Sequence, residues 1–527
     1  MKDRASYRSG FGFGSLSSLS LIVLGVVSSV AIARVYGIKV IGQFGLSMAP
    51  SMALMYLSTA QEQAALVRRV AVLPPREPEV SGLFAAVMTF SFVLTAVVGL
   101  ITEGVIVVVY HGPIDHPDLI LPATVLVVSQ TLLTNTCWNL DMVLSAFRAG
   151  RELFWVRLNQ AVGFLVLAVA GGLLMGDVWG LVMATCASWA FSLLHRLFSV
   201  RGYMRFRVPR HVVRHGFRSL PEMIRFGIKL APSGLASGVA SQVGTWVLGA
   251  VASLSVVGAY QRAWQLTNRF LEAKTRIGEV LLPTLVERRA GDDSGGFDRA
   301  LVDSMRYLAI AMFFPAAVGG GAGYGVMELF GPGFSQAGNT LAVLLAIPAL
   351  AAISGVQAQV LIAEGRPGVV TTTSVGRTLL TIGLTFAMAP SLGMMGAALA
   401  WAIGSVVGVI WLQHVVRPHL AAPLRATWTP VQMAALGLAC AAGFGVARVL
   451  DHALGGPGGL LLALTAGSLA YGVVFLLAGG VAARDRERFT SVFGALRGRL
   501  ARRPSPSAAS GPPPAPRRRA RASATRP

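Results

Sequence analysis

The sequence predicts an all-α, polytopic membrane protein of about fourteen transmembrane helices, arranged as two related six-helix halves and a final helix pair. Three observations carry this prediction. The 527 residues are 54% hydrophobic and only 13% charged, with a mean hydropathy of +0.64, too little charge to cover a soluble surface. Apolar stretches of spanning length recur along the chain, separated by short loops. A set of short motifs repeats at a constant offset of 216 residues.

In chain order the expected spans cover residues 11–33, 41–66, 83–109, 119–145, 154–175, 179–194, 226–250, 256–282, 301–327, 338–362, 369–389, 394–416, 431–447 and 459–481. The apolar run from Phe11 to Ala33 is too long for a signal-peptide core and is read as an uncleaved first span. Of the 45 Lys and Arg, 34 fall in the N-terminus, the even-numbered loops and the tail, and Arg34, Lys39 and Arg448 fall in odd-numbered loops. That asymmetry orients the chain with both termini in the cytoplasm. The net charge of +22 is therefore topological and argues for no nucleic-acid partner. Cys137, Cys186 and Cys440 sit inside apolar spans, so no disulfide framework is expected.

The domain division follows: residues 1–200 form the first bundle, 201–225 a basic connector, 226–416 the second bundle, 417–481 two further spans, and 482–527 a tail. The basic stretch from His195 to Arg225 holds eight Arg and is expected on the anionic inner leaflet. The tail is rich in Pro, Ala, Ser and Arg, with 12 Arg against Asp485 and Glu487, and should be largely disordered and attracted to the same lipids. In the repeat, Val40-Ile41-Gly42-Gln43-Phe44 answers Val256-Val257-Gly258-Ala259-Tyr260, and Gly180 answers Gly396. A repeat of six spans plus six places a substrate cavity between the halves, near the bilayer midplane.

Span eight carries the chemistry. Arg262, Gln265, Arg269, Glu272, Arg276 and Glu279 follow a 3,4,3,4,3 spacing, one stripe about 26 Å long on a helix. Such a stripe cannot face lipid, and a wet cavity between the halves would accommodate it. Part of it can pair internally, Arg269 with Glu272 and Glu272 with Arg276, which leaves cationic capacity at Arg262 and Arg269. Guanidinium forks suit phosphate, because they bind two oxygens and keep their charge when desolvated.

The other intramembrane ionisable groups are few. Arg34 ends span one, facing the cavity or the outer headgroups, while Glu103 in span three and Asp141 in span four are candidates for ion coupling. Arg157 and Arg377 are expected to snorkel to the cytoplasmic surface. His211 and His215 lack acidic or Cys partners, so neither a metal nor any other cofactor is expected. No Gly-rich loop precedes Lys-Ser or Lys-Thr, which argues against an ATPase module.

Several motifs resemble one family. Val30-Ala31-Ile32-Ala33-Arg34-Val35-Tyr36-Gly37 through Gly42-Gln43-Phe44-Gly45 is similar to the first hairpin of bacterial oligosaccharide (Wzx-type) flippases of the multidrug/oligosaccharidyl-lipid/polysaccharide exporter superfamily. Gly258-Ala259-Tyr260, Leu281-Leu282-Pro283, Leu329-Phe330-Gly331-Pro332-Gly333-Phe334 and Ala363-Glu364-Gly365-Arg366-Pro367 resemble later segments of the same family. The resemblance implies a place in the bacterial cytoplasmic membrane, a V-shaped central cavity, alternating access, and an undecaprenyl-pyrophosphate-linked oligosaccharide as cargo. It also implies that basic cavity residues engage the pyrophosphate, here Arg262, Arg269 and Arg276 with Gln265 and Glu272, and Arg34 on the outer side. Polysaccharide polymerases and assembly proteins are the implied protein partners. The polar stretch Ala60-Gln61-Glu62-Gln63 departs from the family's apolar pattern.

A lipid II flippase and a cation-coupled multidrug exporter share these expectations of fold. A drug exporter should line its cavity with acids and aromatics, whereas this stripe is rich in Arg. An enzyme such as a polymerase or glycosyltransferase generally needs a sizeable outer loop with catalytic groups. The first outer loop here, residues 34–40, has no acid.

Overall fold

The computed structural model describes residues 7–59, 62–228, 231–290, 294–363, 366–419 and 429–481, with side chains described from Val23 onward except over 273–302 and a few single positions. Among these residues there is no strand. The helices are α1 (Tyr7–Leu57), α2 (Glu62–Val70), α3 (Pro78–His111), α4 (Ile120–Ser129), α5 (Asn135–Ala146), α6 (Gly150–Leu174), α7 (Val178–Val200) and α8 (Arg210–Gly227). They continue as α9 (Ala231–Val251), α10 (Leu254–Ala290), α11 (Ser294–Gly321), α12 (Gly323–Glu328), α13 (Gly338–Ala363), α14 (Pro367–Val416), α15 (Pro430–Leu454) and α16 (Gly456–Leu477).

Two elements join expected spans. α1 runs through spans one and two, folding at Gly37 with φ 75° and ψ 171°, and α14 folds at Gly393 with φ 57° and ψ −137°. Both elbows lie in a backbone region that glycine enters at little cost and other residues resist. Nine of the described helices are long and apolar enough to cross a membrane, and the two elbowed ones are among them. A tally of fourteen spans rests on reading each elbowed helix as a pair and on including α9, α10 and α11, which fall outside the nine.

Three expected boundaries move. Span two, expected to run unbroken to residue 66, ends at Leu57, where Ser58 donates from both N and Oγ to Leu54 O (2.9 and 2.6 Å), and α2 starts afresh at Glu62. Span four is interrupted by a π turn, Gln130–Thr134, between α4 and α5. Span six extends past residue 194 to Val200, because Arg196, counted above with the basic connector, is buried in α7 against an acid. A charge that finds its counter-ion inside the bundle does not end a span.

The lobes α1–α7 and α9–α14 meet along the second half of α1, which packs on α9 and α10. The closest approach uses the two repeat glycines. A Cβ on Gly42 would lie 1.9 Å from Leu254 O, and one on Gly258 would lie 2.2 Å from Ile38 O and 3.0 Å from Gly42 N. Farther along, Leu46 covers Gly249 and Tyr56 covers Gly238. The other repeated pair is equivalent within each lobe: Gly180 abuts Gly171 O, and Gly396 abuts Met388 O. Backbones that approach this closely pack in lipid without needing a hydrophobic drive.

The connector forms the amphipathic helix α8, held to α3 by a second glycine pair. A Cβ on Gly216 would lie 2.1 Å from Gly82 O. Arg69 pairs with Glu222, Met223 is buried, and Arg210, Arg214, Arg218 and Arg225 are exposed. The final pair docks differently. Asp451 in α15 accepts from Gly325 N with both carboxylate oxygens (3.1 and 3.0 Å), tying α15 to α12.

Candidate cargo site

Helix α10 reaches from the glycine contact toward the α8 face, and the stripe read from the sequence lies along it. Trp264, at 4% exposure, turns the opposite face into its own lobe against Trp401 (4.8 Å between ring centroids). The polar face instead meets the first half of α1. Arg262 is 5% exposed; its Nη1 donates to Ser29 Oγ at 2.9 Å and to Gln265 Oε1 at 2.7 Å, while its Nε is buried with no partner. Neither partner is an acid. A guanidinium held in a low-dielectric site by neutral acceptors, with one N–H unspent, is a binding group for an anion.

Two turns along, Arg269 Nη1 approaches both oxygens of Glu272 at 3.3 Å, and its guanidinium lies against Gly25, where a Cβ would come within 3.0 Å of Nε. Arg269 and Glu272 are 37% and 61% exposed, so water screens this pair and it holds Arg269 only weakly. Together Arg262, Gln265 and Arg269 line a cavity of about 130 Å³ with Gly25, Ser29 and Phe164. The site thus takes its cations from the second lobe and its opposite wall from α1 and α6 of the first. Arg276 lies in α10, but its side chain is outside the described residues.

The remaining candidates are elsewhere. Arg34 precedes the elbow of α1, and its Nε donates to Leu329 O at 2.8 Å. It lines a different cavity, about 560 Å³, with Glu328, Gly331, Pro332, Gly456 and Pro457, formed partly by the turn between α15 and α16. The structure therefore does not bring Arg34 to the Arg262–Arg269 cavity. Glu103 accepts from Thr124 Oγ1 at 2.7 Å, and its other oxygen, Oε1, is buried without a partner.

Asp141 is occupied instead. Arg196, 2% exposed, grips it with Nε–Oδ1 at 2.7 Å and Nη2–Oδ2 at 3.2 Å, and donates further to Gln160 Oε1 and Ser192 Oγ. Arg157, expected to snorkel to the surface, points inward to Asp141, Nε–Oδ2 3.7 Å. Replacing Asp141 by Asn should cost about 3–5 kcal/mol, because it strands a buried Arg. A large loss of folded, detergent-extractable protein is expected, with recovery when Arg196 is replaced by Met as well. Arg377, the other residue expected to snorkel, lays its stem on Gly408, where a Cβ would be 2.7 Å from its Cδ.

Sequence reasoning missed three groups here. Ser29 carries no signal in an apolar span. Arg196 looked like the start of the connector. Glu62 is 0% exposed and accepts from Ser91 Oγ and Thr59 Oγ1; the Gln-Glu-Gln departure was its one signal. His215 faces Glu79 at 3.8 Å on the protein surface, and among the described residues no group of three or more His, Cys, Asp and Glu gathers for a metal.

Comparison with known proteins places this geometry. The probable flippase AglR of Haloferax volcanii is 27% identical over 245 residues, 45% of this chain and 50% of that protein, so the chain spans half the length of that relative. Among solved structures, the lipid II flippase MurJ in an inward closed conformation superimposes with TM-score 0.61 at 14% identity, covering 87% of this chain and 97% of that one. An inward-facing multidrug resistance MATE family transporter of the MOP superfamily gives TM-score 0.60 at 14% identity, covering 78% and 99%. A MOP superfamily transporter from Pyrococcus furiosus gives 0.53 at 13% identity, covering 78% and 96%. The fold is the one shared by these transporter and flippase structures. The family model for polysaccharide biosynthesis proteins matches residues 9–288, just over half of the chain, from α1 through the full Arg262–Glu279 stripe, and the chain belongs to that family.

Proposed function

We propose that this chain is a flippase that carries an undecaprenyl-pyrophosphate-linked oligosaccharide from the inner to the outer leaflet of a bacterial cytoplasmic membrane, for cell-surface polysaccharide assembly. The observation that carries the reading is Arg262, buried at the lobe interface and held, among the described residues, by the neutral Ser29 and Gln265, with the loosely paired Arg269 beside it. Two guanidiniums with no buried acid beside them among the described residues form a site of net positive charge, suited to a pyrophosphate. The family and the probable flippase AglR support a polysaccharide cargo. Arg34, beside the elbow of α1, receives the cargo on the outer side, and Glu103 is the coupling group. The basic face of α8 rests on anionic inner-leaflet lipid, which sets that face of the protein in the cytoplasm, whereas the Arg-rich tail, 482–527, lies outside the described residues. A polymerase would take the delivered cargo.

Cargo class is tested by native mass spectrometry of the purified protein with undecaprenyl-pyrophosphate oligosaccharide, lipid II and ethidium. The oligosaccharide should be retained most strongly, and retention should fall in R262Q. Preferential retention of lipid II would redirect the protein to peptidoglycan, and retention of ethidium alone would make it a drug exporter.

A further inference from the structure

Resting on the reading of the cavity as a pyrophosphate site, we propose that Arg157 is a third cargo-binding arginine, contributed by the first lobe opposite Arg269, so that one anion is gripped by both lobes. Two features of α6 support it. The lipid face of this helix is marked by Trp155, Val162, Val166 and Leu173, which are 47%, 42%, 60% and 77% exposed. At 100° per residue these fall along one line, and Arg157 lies about 200° away. Ala161 and Phe164, one and two turns on from Arg157 along that same opposite face, already line the cavity that holds Arg262 and Arg269. The 31% exposure of the Arg157 side chain therefore opens toward the space between the lobes.

The second feature is charge. Asp141 is satisfied by the two contacts from Arg196, at 2.7 and 3.2 Å, whereas Arg157 stands off at 3.7 Å, an ion pair without a hydrogen bond. The cluster of one acid and two arginines keeps a positive charge, and the guanidinium nearer the cleft is the one held loosely. Across the cleft α10 presents Arg269, tethered only to the exposed Glu272. Empty, the two walls repel. A pyrophosphate between them neutralises both, and its presence draws α6 toward α10. Loading of cargo thereby becomes the condition for the lobes to approach, and an unloaded transporter is held from cycling.

The test uses full-length protein in nanodiscs with inorganic pyrophosphate as the probe, comparing wild type, R157Q, R157K and R269Q. Spin labels at V72C and R417C, with the three native cysteines replaced, report the distance between lobes on the α8 face. R157Q should fold, since Asp141 keeps Arg196. Its pyrophosphate affinity should fall about tenfold, the loss of one charge-assisted contact, and the ligand-induced shortening between labels seen in wild type should vanish. R157K should recover part of both. A purely structural Arg157 would lower thermal stability and leave affinity unchanged; wild-type affinity and shortening in R157Q, with binding lost in R269Q, overturns the inference and leaves the cavity reading standing. No binding in wild type, or wild-type binding in R269Q, overturns the cavity reading itself.

Discussion

Arg269→Ala is expected to abolish export of surface polysaccharide while leaving the protein folded and at normal abundance in the membrane. The separation of function from stability follows from the environment of Arg269. Its one acidic partner, Glu272, is 61% exposed, so removing the arginine leaves no buried charge unpaired. What the variant loses is a guanidinium at the mouth of the cavity, next to Gly25. Hydrogen bonds to charged groups contribute about 1.5–3 kcal/mol, so cargo affinity should fall roughly ten- to a hundredfold. Membrane-fraction blotting and surface-polysaccharide gels read the two halves of the prediction. Normal polysaccharide with the variant present would count directly against a cargo role. Arg262 makes a harsher test of the same idea, because its buried links to Ser29 and Gln265 also join α10 to α1, and its loss should reduce stability as well as export.

Gly258→Leu is expected to hold the lobes apart where α1 meets α10. A Cβ at this position would lie 2.2 Å from Ile38 O and 3.0 Å from Gly42 N, both backbone atoms that cannot swing aside. The rest of the leucine side chain has no room at all. Relief comes only by separating α1 from α10. Each lobe keeps its own packing, so the expected product is a folded protein locked open on the elbow face, inactive in export. A cysteine pair at Gly45 and Gln261, where a Cβ on Gly45 would lie 3.6 Å from Gln261 Cβ, should crosslink readily in the parent and fail to crosslink in the variant. Retained crosslinking with retained export would mean that the leucine is accommodated and the lobes are not held apart; lost crosslinking with retained export would mean that this contact need not stay closed in the cycle.

Hydrophobicity, the 216-residue repeat and the 3,4,3,4,3 stripe were legible because each is a pattern that survives without knowledge of neighbours. The repeat glycines were visible as motifs, but that Gly42 and Gly258 touch one another depends on how the lobes face. The elbows at Gly37 and Gly393 were placed as loops, since a helix that folds on a single glycine reads the same as two helices with a short break. Ion pairs across helices were the least legible. Asp141, Arg157 and Arg196 lie on α5, α6 and α7, and no spacing within the chain links them. Each therefore looked like a candidate coupling site, a snorkelling cation or a connector charge until packing brought them together. The surroundings of Arg34 were illegible for a related reason: its cavity is completed by Gly456, Pro457 and Leu460, more than 400 residues farther along the chain.

The most direct measurement is transbilayer movement of undecaprenyl-pyrophosphate oligosaccharide in proteoliposomes, read by access of a membrane-impermeant lectin to the sugar. The account predicts that the wild-type protein moves this lipid and that R269A and G258L, reconstituted at equal density, do not. Movement at the wild-type rate by R269A, or movement of ethidium but not of the lipid by the wild type, would contradict it.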